Sequence, residues 1–432
     1  LSLGQDTFPS QSGYRSLSRR GLIATTAGHI LEWFDWHIYA IFSIFFAPQF
    51  FPPSNAGAAH LQALLIFTVG FFFRPLGAVV LGGFTDRHGR RKGLTLSVLI
   101  IASGSTAIAI CPTYQEIGML APVILLAARM AQGFSTGGEF AAASIYLAEV
   151  APPGRRGFYS SFIYVTGTMA LLAATLLAEL LVGLFGEEGV TEWAWRVPFA
   201  IGALLGFYGL HLRRSLRETG PYLSDRDLRV RRPTWEMLRR HPVSGLRVVG
   251  FTVGATAVYY TFVVHLPTYA QKVYGISPGS ALWASIVAQL TMIAALPVFG
   301  LLSDRFGRKP LLIAFAAGYV VLTVPLFALL NSSVWSLLAV MSTGLVLFAC
   351  YAAIAPAAMA ELFPTQVRSV GLGMPYALTV AVFGGTAPYL VETLTRNDRA
   401  DLFPWYVSAL CLVSLVVYLT ARETKAIDLE EC

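Results

Sequence analysis

Hydrophobic residues make up 55% of this 432-residue chain and charged residues only 13%, about half the charge of a typical soluble domain. Mean hydropathy is +0.62, so a water-soluble globule is excluded. The net charge of +7 is carried in breaks between apolar runs, a pattern that speaks for membrane topology and against a nucleic-acid partner.

The first twenty residues are polar, with Arg15, Arg19 and Arg20 just ahead of the first apolar run. They read as an N-terminal cytoplasmic tail (1–20) and not as a secretory leader. A helix needs roughly 20 apolar residues to cross a bilayer. Runs of that kind predict spans at 21–47, 61–83, 93–111, 119–146, 158–184 and 195–212. A polar stretch at 213–246 follows, with a short amphipathic helix expected around Trp235 to Arg240. Further spans are expected at 247–271, 280–302, 310–330, 334–359, 370–394 and 402–421, and then a tail at 422–432. The four cysteines, Cys111, Cys350, Cys411 and Cys432, form no CxxC pair, so neither a disulfide framework nor a metal site is expected.

About 25 of the 31 Lys and Arg residues fall in the tails and in the even-to-odd connections and three more lie inside spans, leaving only Lys272, Arg396 and Arg399 for the other side. The positive-inside rule then predicts both termini and the central loop in the cytoplasm, and an even number of spans. A motif repeats within the chain. Gly82 to Arg91 and Gly300 to Lys309 both fit GxxxDRxGR[RK], with Asp86, Arg87, Gly89 and Arg90 matched by Asp304, Arg305, Gly307 and Arg308. A second pair, Glu149 with Arg155 and Glu361 with Arg368, recurs at nearly the same offset, about 215 residues. The fold expected is an all-α polytopic membrane protein: twelve transmembrane helices in two pseudo-symmetric six-helix bundles, 21–212 and 247–421.

The doubled motif, the two halves and the long central loop resemble the major facilitator superfamily. Glu32-Trp33-Phe34-Asp35, Phe73-Arg74-Pro75-Leu76-Gly77, Arg129 to Ser135, Gly137-Gly138-Glu139-Phe140 and Trp195 to Phe199 narrow the resemblance to its metabolite:proton symporters. These include 2-oxoglutarate, citrate, shikimate and proline/betaine permeases, and the first span is most similar to the 2-oxoglutarate members. The resemblance implies alternating access in a multi-pass protein of a bacterial cytoplasmic (inner) membrane, driven by a proton gradient with no cofactor and no metal. The partners expected are an organic acid, protons and the lipid bilayer, for a monomer. No P-loop, HExxH or GxSxG occurs, so an ATP-driven pump or an enzyme is not expected. His29 stands where the family usually has Asn, and the fifth span lacks a Gln often found there. The short tail after the last span sets the chain apart from the osmosensing betaine members, so a zwitterion such as betaine or proline is the second expectation. A non-transporting substrate sensor is the third.

An ionisable group at the bilayer centre costs about 2.5–3.5 kcal/mol on insertion scales unless paired or wet, so each one needs a reason. By motif, Asp35 and Arg129 correspond to a proton-coupling pair, with a permanent helix-locking ion pair as the bland alternative. Glu32, one turn before Asp35 on the same side, is a second proton site, a partner for Arg74, or a structural acid. Arg74 and Arg196 have the planar fork that suits carboxylates and are candidate substrate ligands, although Arg196 beside Trp193 and Trp195 could merely anchor at an interface. His29, Tyr164, Tyr260 and Gln289 complete the substrate candidates, with Tyr259, His265 and Tyr376 as further polar groups. Glu139 is read as structural, and Glu179 and Glu392 carry no assignment. The repeated motif residues are expected to hold the cytoplasmic side shut in the outward-open state.

Overall fold

The computed structural model describes residues 11–52, 56–214, 218–219, 222–223, 232–386, 390, 394, 397, 399, 401–425 and 427. In a bilayer each backbone N–H and C=O must be satisfied within its own segment, and the apolar runs all answer by forming helices. The first six are α1 (Gln11–Phe50), α2 (Ala56–His88), α3 (Arg90–Ala109), α4 (Leu120–Val150), α5 (Arg156–Gly189, running on through a π turn to Ala194) and α6 (Arg196–Arg214). A short helix, Pro233–Arg240, follows, where the amphipathic pattern places one. Then come α7 (Pro242–Tyr259, continued through a π turn to Tyr274), α8 (Pro278–Phe306), α9 (Lys309–Ala328), α10 (Val334–Ala352), α11 (Arg368–Thr379, followed by a π turn to Gly384) and α12 (Leu402–Thr420).

Among the described residues, nine spans are long and apolar enough to cross a membrane by length and composition. The exceptions are α4, α6 and α11. Most of α4 is buried by other helices, so its polar residues meet protein and not lipid, which is why hydropathy understates it.

Helices α2 and α8 run further than the apolar pattern suggests. Each continues through the first half of the repeated motif and stops at a glycine with left-handed φ, Gly89 at 107° and Gly307 at 106°. The motif is therefore a helix end plus a turn, and not a loop. Helices α1–α6 pack among themselves, with α2 on α4, α3 on α6 and α1 on α5, and α8 on α10, α9 on α12 and α7 on α11 repeat the arrangement. The halves meet through α5 against α8 and through α11 against α2 and α4. The α5–α8 approach is tight at the motif end. A methyl group on Gly157 would lie 2.6 Å from the Gly300 carbonyl, and one on Gly300 would lie 2.7 Å from the Gly157 carbonyl, so neither position admits a side chain without parting the helices.

Candidate functional site

A cavity of about 330 Å³ lies between the halves, walled by α1, α2, α5, α7, α10 and α11. Its surface is mostly aromatic: Trp33, Trp36, Phe71 and Phe348 meet the tyrosines Tyr164, Tyr259, Tyr260, Tyr351 and Tyr376. Arg74 is the one Lys, Arg, Asp or Glu among the described lining residues. Its guanidinium stacks on Trp36 at 4.0 Å and on Phe71 at 4.3 Å, and its buried Nε has no hydrogen-bond partner. No described carboxylate lies within ion-pair distance of it. A cation so placed is held by ring faces and keeps its donors free for an anion.

Behind Trp36 lies a second layer. Arg129 on α4 is fully buried and reaches the same indole at 4.8 Å and the Tyr39 ring at 4.0 Å. Its Nη1 is 3.5 Å from Asp35 Oδ2 and donates to Gln132 Oε1 at 2.6 Å. Ser105 donates to Asp35, and Gln132 donates to Ser105 at 3.2 Å. Asp35 and Arg129 therefore form a pair inside the first bundle, and neither lines the cavity that Trp36 helps to wall.

A third cluster lies one helical turn away. Glu139 on α4 is paired with Arg213 on α6 and accepts from Ser97. His29 and Glu32 face it, with His29 Nδ1 3.8 Å from Glu32 Oε2. Trp33 Nε1 donates to His29 Nε2 at 2.9 Å. Arg213 falls within the stretch expected to be loop, but α6 carries it into the bundle.

At the motif end, Asp86 accepts from the backbone N–H groups of Ser369 and Val370, at 3.0 and 3.1 Å, which begin α11 of the other half. Arg90 donates to Asp86 at 2.8 Å and to the Thr365 carbonyl at 2.8 Å, and Arg368 donates to Glu149 at 2.6 Å. Gly82 faces Ser369 and Val370 so closely that a methyl group there would touch both. The mirror arrangement holds in the second half. Asp304 accepts from the N–H groups of Gly157 and Phe158 at 2.7 and 2.9 Å, which begin α5, while Arg308 donates to Asp304 at 2.9 Å and to Glu361 at 3.4 Å.

A family model described as "Major Facilitator Superfamily" matches residues 25–388 and 271–428. The chain belongs to the Major Facilitator Superfamily. It is a multi-pass membrane transporter and not an enzyme. It is 35% identical over 402 residues to the alpha-ketoglutarate permease of Escherichia coli, covering 92% of both chains. It is 33% identical to the citrate-proton symporter of Klebsiella pneumoniae, covering 94% of this chain and 93% of that one. To the proline/betaine transporter of Salmonella typhimurium it is 31% identical, covering 94% and 84%. The fold matches that of the proton:xylose symporter XylE with a TM-score of 0.77 at 18% identity, covering 96% of this chain and 98% of that one.

Within this superfamily fold the candidates from sequence separate. Arg74, Tyr164 and Tyr260 line the cavity, as do Tyr259 and Tyr376. His29 lines a small chamber beside it, together with Trp33, Phe140, Tyr164 and Tyr259. Arg196 is not a cavity residue. Its Nη2 donates to the Cys111 carbonyl at 3.1 Å and its guanidinium stacks on Trp195 at 4.4 Å, so it staples the start of α6 to the end of α3. Gln289 is buried on α8 but is absent from the cavity wall.

Arg155 is also corrected. It is exposed, and the neighbouring Arg156 reaches Glu361 at 3.8 Å. The true spacing is seven residues in both halves, Glu149 to Arg156 and Glu361 to Arg368, with each arginine bridging to the other half's acid. Arg87 and Arg305 are exposed and bridge by backbone only, their carbonyls accepting from Tyr222 and Lys425 at 2.8 and 2.7 Å. Glu179 is exposed on α5, and Glu392 lies outside the described residues.

Three features were missed. Trp36 and His37 read from sequence as ordinary span residues, yet both line the cavity. Arg213 is indistinguishable by pattern from the topology-setting basic residues around it. A third repeat, Arg-Glu-Thr at 217–219 and 422–424, was there to be read. Glu218 accepts from Arg90 N at 2.9 Å and Glu423 from Arg308 N at 2.9 Å, while Thr219 and Thr424 donate to Glu149 and Glu361.

Proposed function

We propose that the protein is a proton-coupled symporter of a small organic anion, a mono- or dicarboxylate of the 2-oxoglutarate kind, working by alternating access. One observation carries the reading: a buried arginine without a carboxylate partner, Arg74, in an aromatic cavity between the two halves. A carboxylate is the natural partner of that fork, since two parallel charge-assisted hydrogen bonds relieve the isolated buried charge. The relatives in E. coli and K. pneumoniae, an alpha-ketoglutarate permease and a citrate-proton symporter, support an acid substrate and a coupled proton.

Asp35 and Arg129 are proposed as the coupling pair. Trp36 is in contact with both Arg74 and Arg129, so a substrate drawn onto Arg74 acts on a ring that the pair also touches. Loss of the Asp35–Arg129 contact leaves a carboxylate in a low-dielectric site, where a proton is the cheapest compensation. The motif end is proposed as the cytoplasmic face of an inner-membrane protein, on the distribution of Lys and Arg. The bundles are then 21–212 and 247–421, with the proton gradient as energy source, no cofactor and a monomeric unit. The tyrosine-rich wall gives one reason to keep a second substrate class, because ring faces attract quaternary ammonium groups and a betaine would offer its carboxylate to Arg74.

Purified protein in liposomes, challenged with labelled 2-oxoglutarate, citrate, proline and betaine with and without an inward-acid gradient, tests the reading. Gradient-driven accumulation of an acid is expected. Uptake that ignores the gradient removes the coupling, and uptake of the zwitterions alone moves the substrate class.

A further inference from the structure

The His29–Glu32–Glu139 cluster has no part in the mechanism above, and it is buried in the membrane. Glu139 is already neutralised: Arg213 pairs with it and Ser97 donates to it. Glu32 is not. Its Oε2 and His29 Nδ1 are both buried without a hydrogen-bond partner, 3.8 Å apart.

The indole next door decides which protons are possible here. Trp33 is a donor only, and it donates to His29 Nε2. Nε2 is therefore unprotonated, and the ring's proton sits on Nδ1, facing Glu32. That tautomer leaves Nδ1 no lone pair for a metal ion. It also prevents imidazolium formation, because a proton on Nε2 would point at the indole N–H. Trp33 also lines the main cavity and the small chamber that His29 reaches, and it lies against His37 with ring centroids 5.7 Å apart.

We infer that Trp33 is a substrate-operated lock on a second proton site: an occupant of the cavity that moves the indole uncovers His29 Nε2, which then binds a proton opposite Glu32. The proton comes from cavity water, and the new imidazolium faces the Glu32 carboxylate. When the substrate leaves and the indole returns, the proton goes back to water. The other groups facing the ring are Glu139 from α4 and Arg213 from α6, which offset each other, and Tyr164 and Tyr259 from α5 and α7, which are neutral. Arg74 from α2 lines the main cavity and not the small chamber that His29 reaches. The inference rests on the symporter reading only for the nature of the occupant.

Histidine ring 15N NMR on the full-length protein in detergent, with the His29 signal assigned by its loss in His29→Gln, tests the lock without substrate. The wild type is expected to show the Nδ1–H tautomer, with no titration between about pH 5 and 8. Trp33→Phe keeps an aromatic ring and removes the donor, so His29 should then titrate or change tautomer. An Nε2–H tautomer in the wild type, or the same titration in both proteins, overturns the proposal.

A second arm adds 2-oxoglutarate at low buffer strength with a pH-indicator dye, binding being scored separately by calorimetry. The wild type should take up more protons per bound ligand than His29→Gln, and equal uptake overturns the proposal. If 2-oxoglutarate does not bind at all, the substrate reading falls, and the NMR arm alone decides the lock.

Discussion

Arg74 and Arg129 both stack against one indole, Trp36, yet the structure gives them opposite surroundings. Arg129 has Asp35 and Gln132 as partners, and Arg74 has only rings and open volume. Arg74→Gln should therefore raise the KM for an acid substrate by about 10- to 100-fold, the equivalent of roughly 1.5–3 kcal/mol for a charged hydrogen-bonded contact. Protein yield should hold, because no native ion pair is broken. Arg74→Lys should fall in between, keeping charge but losing the fork. Removing one member of the Asp35–Arg129 pair is a different experiment. Asp35→Asn should abolish accumulation against a gradient while leaving counterflow exchange in liposomes, since exchange needs no net proton movement. Accumulation at wild-type rates would place the proton elsewhere. Sequence made these residues visible because a charge inside an apolar run demands a reason. It could not say which of them had a partner. The tryptophans beside Arg196 hinted at an anchor, but its partner, the Cys111 carbonyl, is supplied by a distant part of the sequence.

The helix ends show the same limit in another form. The doubled motif was legible as a repeat, but its role follows from where two helices begin. Asp86 and Asp304 each accept two backbone N–H groups at the start of a helix in the opposite half, a place where the helix dipole and the unpaired donors both favour an anion. Reading the motif from Pro152 set Arg155 as the partner, whereas the seven-residue spacing of the other half, Glu361 to Arg368, matches Arg156, the first residue of α5. Liposome uptake can separate the two. Arg156→Ala should weaken the closed motif end by about 1 kcal/mol, given its partly exposed pair with Glu361, and shift the transport kinetics. Arg155→Ala should change little.

The tail contributes at this scale too. Burial alone would raise the Glu423 carboxyl, but the N–H groups of Arg308, Lys309, Lys425 and Thr424 outweigh it and hold the carboxyl below the usual glutamate range. A depressed folded-state pKa adds stability above the unfolded value, and that stability is lost as the pH falls through the folded one. Amide exchange at Arg308 and Lys309, corrected for its intrinsic pH dependence, should therefore lose protection only once the pH has fallen below the ordinary glutamate range. In Glu423→Gln the protection should be low at every pH.

On the scale of the whole molecule, the contacts between halves cluster on one side of the cavity. Asp86 and Asp304, the Gly157–Gly300 approach, the Ser160 hydroxyl accepting from Ala357 N at 3.0 Å and the Phe140–Tyr376 stack at 3.9 Å all join one half to the other between the cavity and the motif end. These contacts are paired by the pseudo-symmetry, so breaking one set leaves its mirror image to hold the halves together. Asp86→Asn or Asp304→Asn alone should thus open the motif end only partly, and the double variant should open it much more than the sum of the two. Ser160 gives the reporter. It is fully buried at this junction, and a cysteine there should resist a membrane-impermeant maleimide until the junction parts. Cys111, Cys350 and Cys411 are buried, so replacing Cys432 with serine is expected to leave a quiet background. Ile41, on the cavity wall, serves as the opposing reporter: Ile41→Cys should lose labelling as Ser160→Cys gains it, because an alternating-access cycle cannot expose both. If the double variant raises labelling at both positions together, the halves do not rock as units. The contacts at the motif end would then be a structural clasp and not one side of a gate.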